Sequence, residues 1–227
     1  MNEAKRIDLH THSFLSDGVL LPSEMLRRVS VLGFGALAIT DHVDAGNLAW
    51  VIASLRRVLE EQPNDFATEL LIGVELTHVG PRSIDELSRR AKALGAEVVV
   101  VHGETIVEPV APGTNRAAVE SDAVDILAHP GLLTLADARL AASRGCYVEI
   151  TARKGHCLTN GHVARVCTLA GARMLVNTDA HQPSEFVTLG FAQQVAAGAG
   201  LDEGAVLAAT VTNPQDLVSR ILAGRQG

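Results

Sequence analysis

His10 and His12 stand two apart on a short apolar run near the start of the chain, and Asp179 and His181 stand two apart on another near its far end. Side chains alternate along a strand, so each pair presents both donors on one face. Between the pairs lie His42, Glu75, His102 and His129, each closing a short β-branched run. Imidazole nitrogens mixed with carboxylate oxygens suit zinc, iron or manganese better than calcium or magnesium. Any one of these histidines, taken alone, reads as an ordinary polar residue capping a strand. The set reads differently: six of the nine histidines fall at the C-terminal ends of apolar runs, and none falls in a run's middle. His-x-His followed by a distant Asp-x-His points to bound metal.

The elements that must position these donors are legible as a repeating pattern. Apolar runs cover residues 6–12, 36–42, 70–76, 97–103, 125–130, 146–151 and 173–181. Helical patterns lie between them. Pro22 and Ser23 open one that ends near Gly33, and Ser83 opens another ending at Gly95. Thr134 starts the next, which stops at Gly145, and Thr159 or Asn160 starts one closing at Gly171. Strands apolar on both sides that alternate with such helices predict a parallel sheet. Seven units favour an α/β fold closed as a seven-stranded (β/α)7 TIM-like barrel, with an open doubly wound sheet as the alternative. A parallel barrel gathers the C-terminal ends of its strands at one face, so the scattered donors should converge. Alternation places Asp8, His10 and His12 on one face of the first strand. Asp8 then points inward, either orienting His10 or pairing with backbone or a basic side chain. Asp41 faces the other way and reads as structural.

Composition bounds the rest. A chain of 227 residues suits one domain, taken here as 1–227. No apolar run approaches the roughly 18 residues of a membrane span. Met1–Arg6 leads straight into a strand, leaving no room for an apolar signal segment, so a cytoplasmic location is expected. Cys146, Cys157 and Cys167 have no zinc-finger spacing and read as reduced thiols. A net charge of −7 argues against extended contact with nucleic acid, and 3% aromatic residues argue against a stacking platform for single strands.

The motifs resemble those of the polymerase and histidinol phosphatase (PHP) family. They are Asp8-Leu9-His10-Thr11-His12, Ser16-Asp17-Gly18, Thr40-Asp41-His42, Gly73-Val74-Glu75, Val101-His102-Gly103, Ala128-His129-Pro130-Gly131 and Asn177-Thr178-Asp179-Ala180-His181, in the family's order. The resemblance implies a distorted seven-stranded barrel and a trinuclear centre of divalent zinc, manganese or iron ions. It implies that His10, His12, Glu75 and Asp179 hold the first ion. Glu75 bridges to the second, completed by His102 and His129, while Asp17, His42 and His181 hold the third. Glu75, Asp179 and His181 are also assigned the catalytic role.

Such a centre stays cationic, because three divalent ions outweigh Asp17, Glu75 and Asp179. That favours a small phosphorylated substrate attacked in line by a metal-bound hydroxide. The expectation is a metal-dependent phosphoesterase of the histidinol-phosphatase type. The alternatives are a phosphodiesterase or exonuclease on nucleotides or short oligonucleotides, a noncatalytic metal- or nucleotide-binding module, and an amidohydrolase-type barrel. Arg153 and Lys154, just past the sixth run, are candidates for gripping phosphate. Residues 104–116 read as the specificity loop, with Arg116 a further phosphate contact. Glu149 shares the face of Thr151 and is a candidate pocket-lining residue, structural rather than catalytic. His156 reads as a candidate substrate contact, and His78 and His162 as surface or helix residues. The segment after residue 200 reads as one or two helices interrupted at Asn213-Pro214 that close the barrel's open side.

Overall fold

Short runs rich in Val, Ile and Leu are stable as strands only when both faces are covered, and that need shapes the whole chain. The structure, a computed structural model, describes residues 4–61 and 66–225. Its strands are β1 (Ile7–Asp8), β2 (Ala36–Ile39), β3 (His42–Val43), β4 (Glu69–Leu76), β5 (Val98–His102), β6 (Ile126–Ala128), β7 (Tyr147–Thr151) and β8 (Met174–Asn177). β2 and β3 are the two halves of the expected second strand, split at Thr40 and Asp41, and both pair with β4. The remaining strands pair parallel to their neighbours in chain order. The expected seven-position barrel is thus the one observed.

The ring closes between its first and last strands, but irregularly. Near the C-terminal rim the backbone does it: His12 N donates to Ala180 O (2.9 Å) and Asp179 N to His10 O (2.9 Å). Deeper down, side chains stand in for the ladder. Asn177 Oδ1 accepts from Leu9 N at 3.1 Å, and the Asp8 carboxylate accepts from Thr178 N and Oγ1 at 3.2 and 2.7 Å. Of the two readings for Asp8, this is the pairing with backbone and a basic side chain; the inward orientation toward His10 is the one corrected. Ile7 and Leu9 belong to the barrel's interior cluster, so Asp8 lies on the strand's other face, also pairing with the buried Arg6 at 3.2 Å. It latches the seam and does not orient His10. The regular strand ends at Asp8, so the alternation used to align it with His10 and His12 does not carry through.

Among the described residues, seven helices wrap the outside: α1 (Pro22–Val31), α2 (Leu48–Glu61), α3 (Ile84–Leu94), α4 (Thr114–Glu120), α5 (Leu135–Arg144), α6 (Asn160–Ala170) and α7 (Leu189–Gly198). Their ends obey the chain's own punctuation. Thr134 caps α5 by accepting from Asp137 N, and Gly95, Gly145 and Gly171 terminate α3, α5 and α6 in the left-handed conformation. Beyond them come α8 (Glu203–Leu207), one π-helical stretch (208–212) and α9 (Asn213–Gly224). Asn213-Pro214 is therefore no break. Proline sits at the start of α9 directly after the π-helical stretch, so the helical path runs on through it. Leu217 and Val218 of α9 pack with Ile7, Ala36, Leu71, Val98 and Leu175 inside the barrel, sealing its N-terminal end. The expected closing role of this segment falls on that end, away from the candidate site. No helix among the described residues is long and apolar enough to cross a membrane.

Candidate metal centre

Strand parity delivers most donors to the rim. On β4 the interior position Leu71 is succeeded by Gly73 and then Glu75, and on β5 Val98 and Val100 are succeeded by His102. His129 needs another device. Ala128 points inward, so its successor should point out, as Leu127 does. A φ of 25° at His129 turns it back; Asp179, already on the interior parity of Leu175, also has a positive φ of 52°. Such backbone is costly for side chains other than glycine and tends to persist where function needs it.

The result is a crowd of donors with separations suited to shared ions. Two ligands of one tetrahedral ion with bonds near 2.0–2.1 Å lie about 3.3 Å apart. Around the first assigned position, His10 Nε2 is 3.3 Å from Glu75 Oε1, and His12 Nε2 is 3.1 Å from Asp179 Oδ1. Around the second, His129 Nε2 is 3.7 Å from Glu75 Oε1, and the His102 and His129 rings lie 4.5 Å apart. Around the third, Asp17 Oδ1 is 3.4 Å from His42 Nε2 and 3.2 Å from His181 Nε2. All nine sequence-assigned ligands come together. Asp41 braces this last group, its carboxylate accepting from Ser13 N, Ser13 Oγ and Ser16 Oγ at 2.6–2.7 Å. It thereby holds the loop that carries Asp17, the structural role expected of it.

The chemistry of these atoms fits cations. His10 Nε2, His12 Nε2, Glu75 Oε1 and Asp179 Oδ1 are buried and have no hydrogen-bond partner. Buried lone pairs facing one another are expensive unless something positive shares them. Several imidazoles have the opposite nitrogen engaged: His10 Nδ1 with Glu149 Oε2 (2.7 Å), His102 Nδ1 with Gly103 O (3.2 Å) and His181 Nδ1 with Asp179 O (2.9 Å). Those contacts fix the tautomer that leaves Nε2 free, as metal-binding histidines require. Glu149, rather than Asp8, is the carboxylate that orients His10. Asn177 Nδ2 donates to it at 3.1 Å. Glu149→Gln should loosen the first ion by roughly 10–100-fold, read as metal lost to a graded chelator; unchanged retention would remove Glu149 from this role.

Burial keeps the His12 and His129 imidazoles well below their ordinary value, and the neighbouring His42 and His102 reinforce this. Burial also opposes a proton on His10, but Glu149, Glu75 and Asp179 outweigh it and hold His10 well above. His42, against the same opposition from burial, is raised to about 10 by Glu75 and Asp17. Without metal, His10 and His42 are therefore protonated at neutral pH and must shed those protons to bind it. Loading should release protons, and metal affinity should rise with pH up to about 10, where His42 loses its proton. Titration calorimetry in buffers of different ionisation enthalpy measures this; proton uptake, or none exchanged, would contradict it.

The donors open onto a cavity of about 250 Å³. Arg153 lines it, its guanidinium donating to Glu185 Oε2 (2.9 Å) and Asp179 O (3.3 Å). Lys154 is exposed and absent from the cavity wall. Arg116 is not at the site: it pairs with Glu120 (2.6 Å) and Asp137 (3.4 Å), because residues 114–116 already belong to α4 rather than to the expected loop. His162 Nε2 bonds Leu133 O, a structural contact. His78, expected to be a surface or helix residue, and Glu108, from the expected specificity loop, both line the cavity. His156 lines it too, anchored by Thr105 Oγ1 at 2.7 Å and stacked on His129 at 4.3 Å. His78 lies in an irregular segment without periodicity, where the sequence offers no signal of a place at the site.

A parallel barrel with imidazoles and carboxylates gathered at its C-terminal rim defines a class of TIM-like barrel whose rim groups could hold metal ions. Within that class the chain belongs to the PHP domain family. The family's model matches residues 8–108. An uncharacterised protein of Methanocaldococcus jannaschii is 44% identical over 217 residues, covering 95% of this chain and 100% of that one. The 5'-3' exoribonuclease Rnm of Escherichia coli is 27% identical over 173 residues, 75% of this chain and 50% of the relative. Among solved structures, a histidinol phosphate phosphatase from Lactococcus lactis, crystallised with zinc, L-histidinol and phosphate, superimposes with a TM-score of 0.62 at 16% identity, covering 88% of this chain and 95% of that one.

Proposed function

We propose that this chain is a metal-dependent phosphoesterase that hydrolyses a small phosphate monoester. One observation carries the reading: nine nitrogen and oxygen donors converge around buried, unpartnered lone pairs beside a cavity only large enough for a small ligand. His10, His12, Glu75 and Asp179 would hold one ion, Glu75, His102 and His129 a second, and Asp17, His42 and His181 a third. Ions bound there would lower the pKa of water and neutralise charge on the nonbridging phosphate oxygens. The protein's own share is placement. Glu75 spaces two ion positions, Glu149 and Asn177 hold His10 in register, and Asp179 and His181 stand at the edge the phosphate must approach. Arg153, steadied by Glu185, offers an N–H fork to the phosphate.

The test is a panel of phosphomonoesters, nucleotides and short oligonucleotides, assayed with zinc and with manganese before and after chelation. Chelator-sensitive release of phosphate from small monoesters supports the reading, and no release from any substrate overturns it. Arg153→Ala should raise KM for a small monoester by about tenfold with little change in kcat, as loss of binding shared by ground and transition states does. A second reading, exonucleolytic cleavage of short RNA, is favoured by the similarity to the exoribonuclease over three-quarters of the chain. Preferential turnover of oligonucleotides would select it.

A further inference from the structure

We propose that Glu108 is an additional, displaceable ligand of the second ion, and that the substrate's phosphate takes its place. The inference rests on the phosphoesterase reading above. Glu108 Oε2 lies 3.0 Å from His102 Nε2, the nitrogen left free because Nδ1 faces Gly103 O. That separation suits two ligands of one ion. Two further imidazoles converge on the same carboxylate, His78 Nε2 at 3.2 Å and His156 Nε2 at 3.4 Å. His78 does so with a φ of 52°, strained for histidine, and its ring lies 4.9 Å from that of His102.

The segment carrying Glu108 is pinned at its base and free at its tip. Asn115 accepts from Glu104 N at 2.9 Å and donates to Pro130 O at 2.8 Å, while Glu104 Oε1 accepts from Gly113 N and Asn115 N. Between these anchors Ile106, Val107 and Pro109 are exposed. A carboxylate on such a flap can leave without disturbing the barrel. Carboxylate and phosphate compete for the same face of the same ion, and a cavity of about 250 Å³ favours one over both. Once Glu108 swings away, His78 and His156 lose that partner and face the incoming phosphate.

The test uses the full chain loaded with cobalt(II), comparing wild type with Glu108→Gln and Glu108→Ala. Visible absorption reports coordination, graded chelation reports retention, and calorimetry reports binding of inorganic phosphate. Expected are a changed cobalt spectrum in both variants, release of one ion at about tenfold lower chelator, and phosphate bound about tenfold tighter once the competitor is gone. In wild type, phosphate should shift the spectrum toward that of the variants. Unchanged spectra and retention would reduce Glu108 to a rim ion pair and overturn the proposal, as would unchanged or weaker phosphate binding in variants that keep their metal. If loaded wild type and both variants all fail to bind phosphate, the phosphoesterase reading fails. The spectra would still decide whether Glu108 is a ligand.

Discussion

Glu75→Ala should strip the protein of at least the two ions proposed to share this carboxylate and lower hydrolysis by on the order of 10³-fold or more. Glu75 is fully buried and central: its two oxygens lie within 4 Å of a nitrogen on His10, His12, His42 and His129. Burial would push its proton affinity up, yet His10 and His42 hold the carboxyl well below its ordinary range, so it is available as an anion whenever metal arrives. Removing it leaves Asp179 alone to serve Nε2 of His10, His12 and His129, at 3.8, 3.1 and 3.7 Å, and strips His42 Nδ1 of its carboxylate at 2.6 Å. Metal content by mass spectrometry and turnover of a small monoester should fall together. A variant retaining all its metal would refute the bridging role. Glu75→Gln, which keeps the volume, separates loss of charge from loss of packing.

Gly131→Ala should be the most destabilising change of a single carbon near the site. Gly131 has a φ of 61°, and a Cβ built there would sit well inside contact distance of Glu104 O. Neither backbone can yield freely, since Asn115 ties residue 104 to Pro130. A cost of about 2–3 kcal/mol corresponds to a melting temperature lower by roughly 5–10 °C for a chain of this size. Gly145→Ala is the control. It shares the left-handed conformation (φ 74°) at the end of α5, but the nearest atom to its Cβ would be Arg173 Nη2 at 3.5 Å. Backbone strain alone there should cost about 1 kcal/mol. Equal losses in the two variants would mean that the clash at residue 131 relaxes.

Much of the barrel and of its donor set is legible in the sequence, because both obey short-range rules. Apolar runs closing on His42, Glu75 and His102 mark strand ends, and glycines at 95, 145 and 171 mark where helices must stop. Three features are hidden for physical reasons. Alternation assigns Asp8 to the interior, but β1 is only two residues long, and the backbone past it conforms to the seam with β8 instead of to the pleat. His129 faces inward through one left-handed residue that no periodicity encodes. Glu108 and His78 meet His102 from loops whose course depends on the whole fold. Glu149 is within reach of sequence reasoning: it shares a strand face with Thr151 and Tyr147, the latter a barrel-interior residue, which makes it a natural partner for His10.

The central claim is that residues from six strand ends and the loop after β1 jointly hold several cations at one rim. Anomalous X-ray diffraction at the metal edge, on crystals of the full chain grown with manganese or zinc, tests it most directly. The expected result is three peaks at the rim: one among His10, His12, Glu75 and Asp179, one among Glu75, His102 and His129, and one among Asp17, His42 and His181. Crystals soaked in excess metal that show no peak within bonding distance of Glu75 would contradict it.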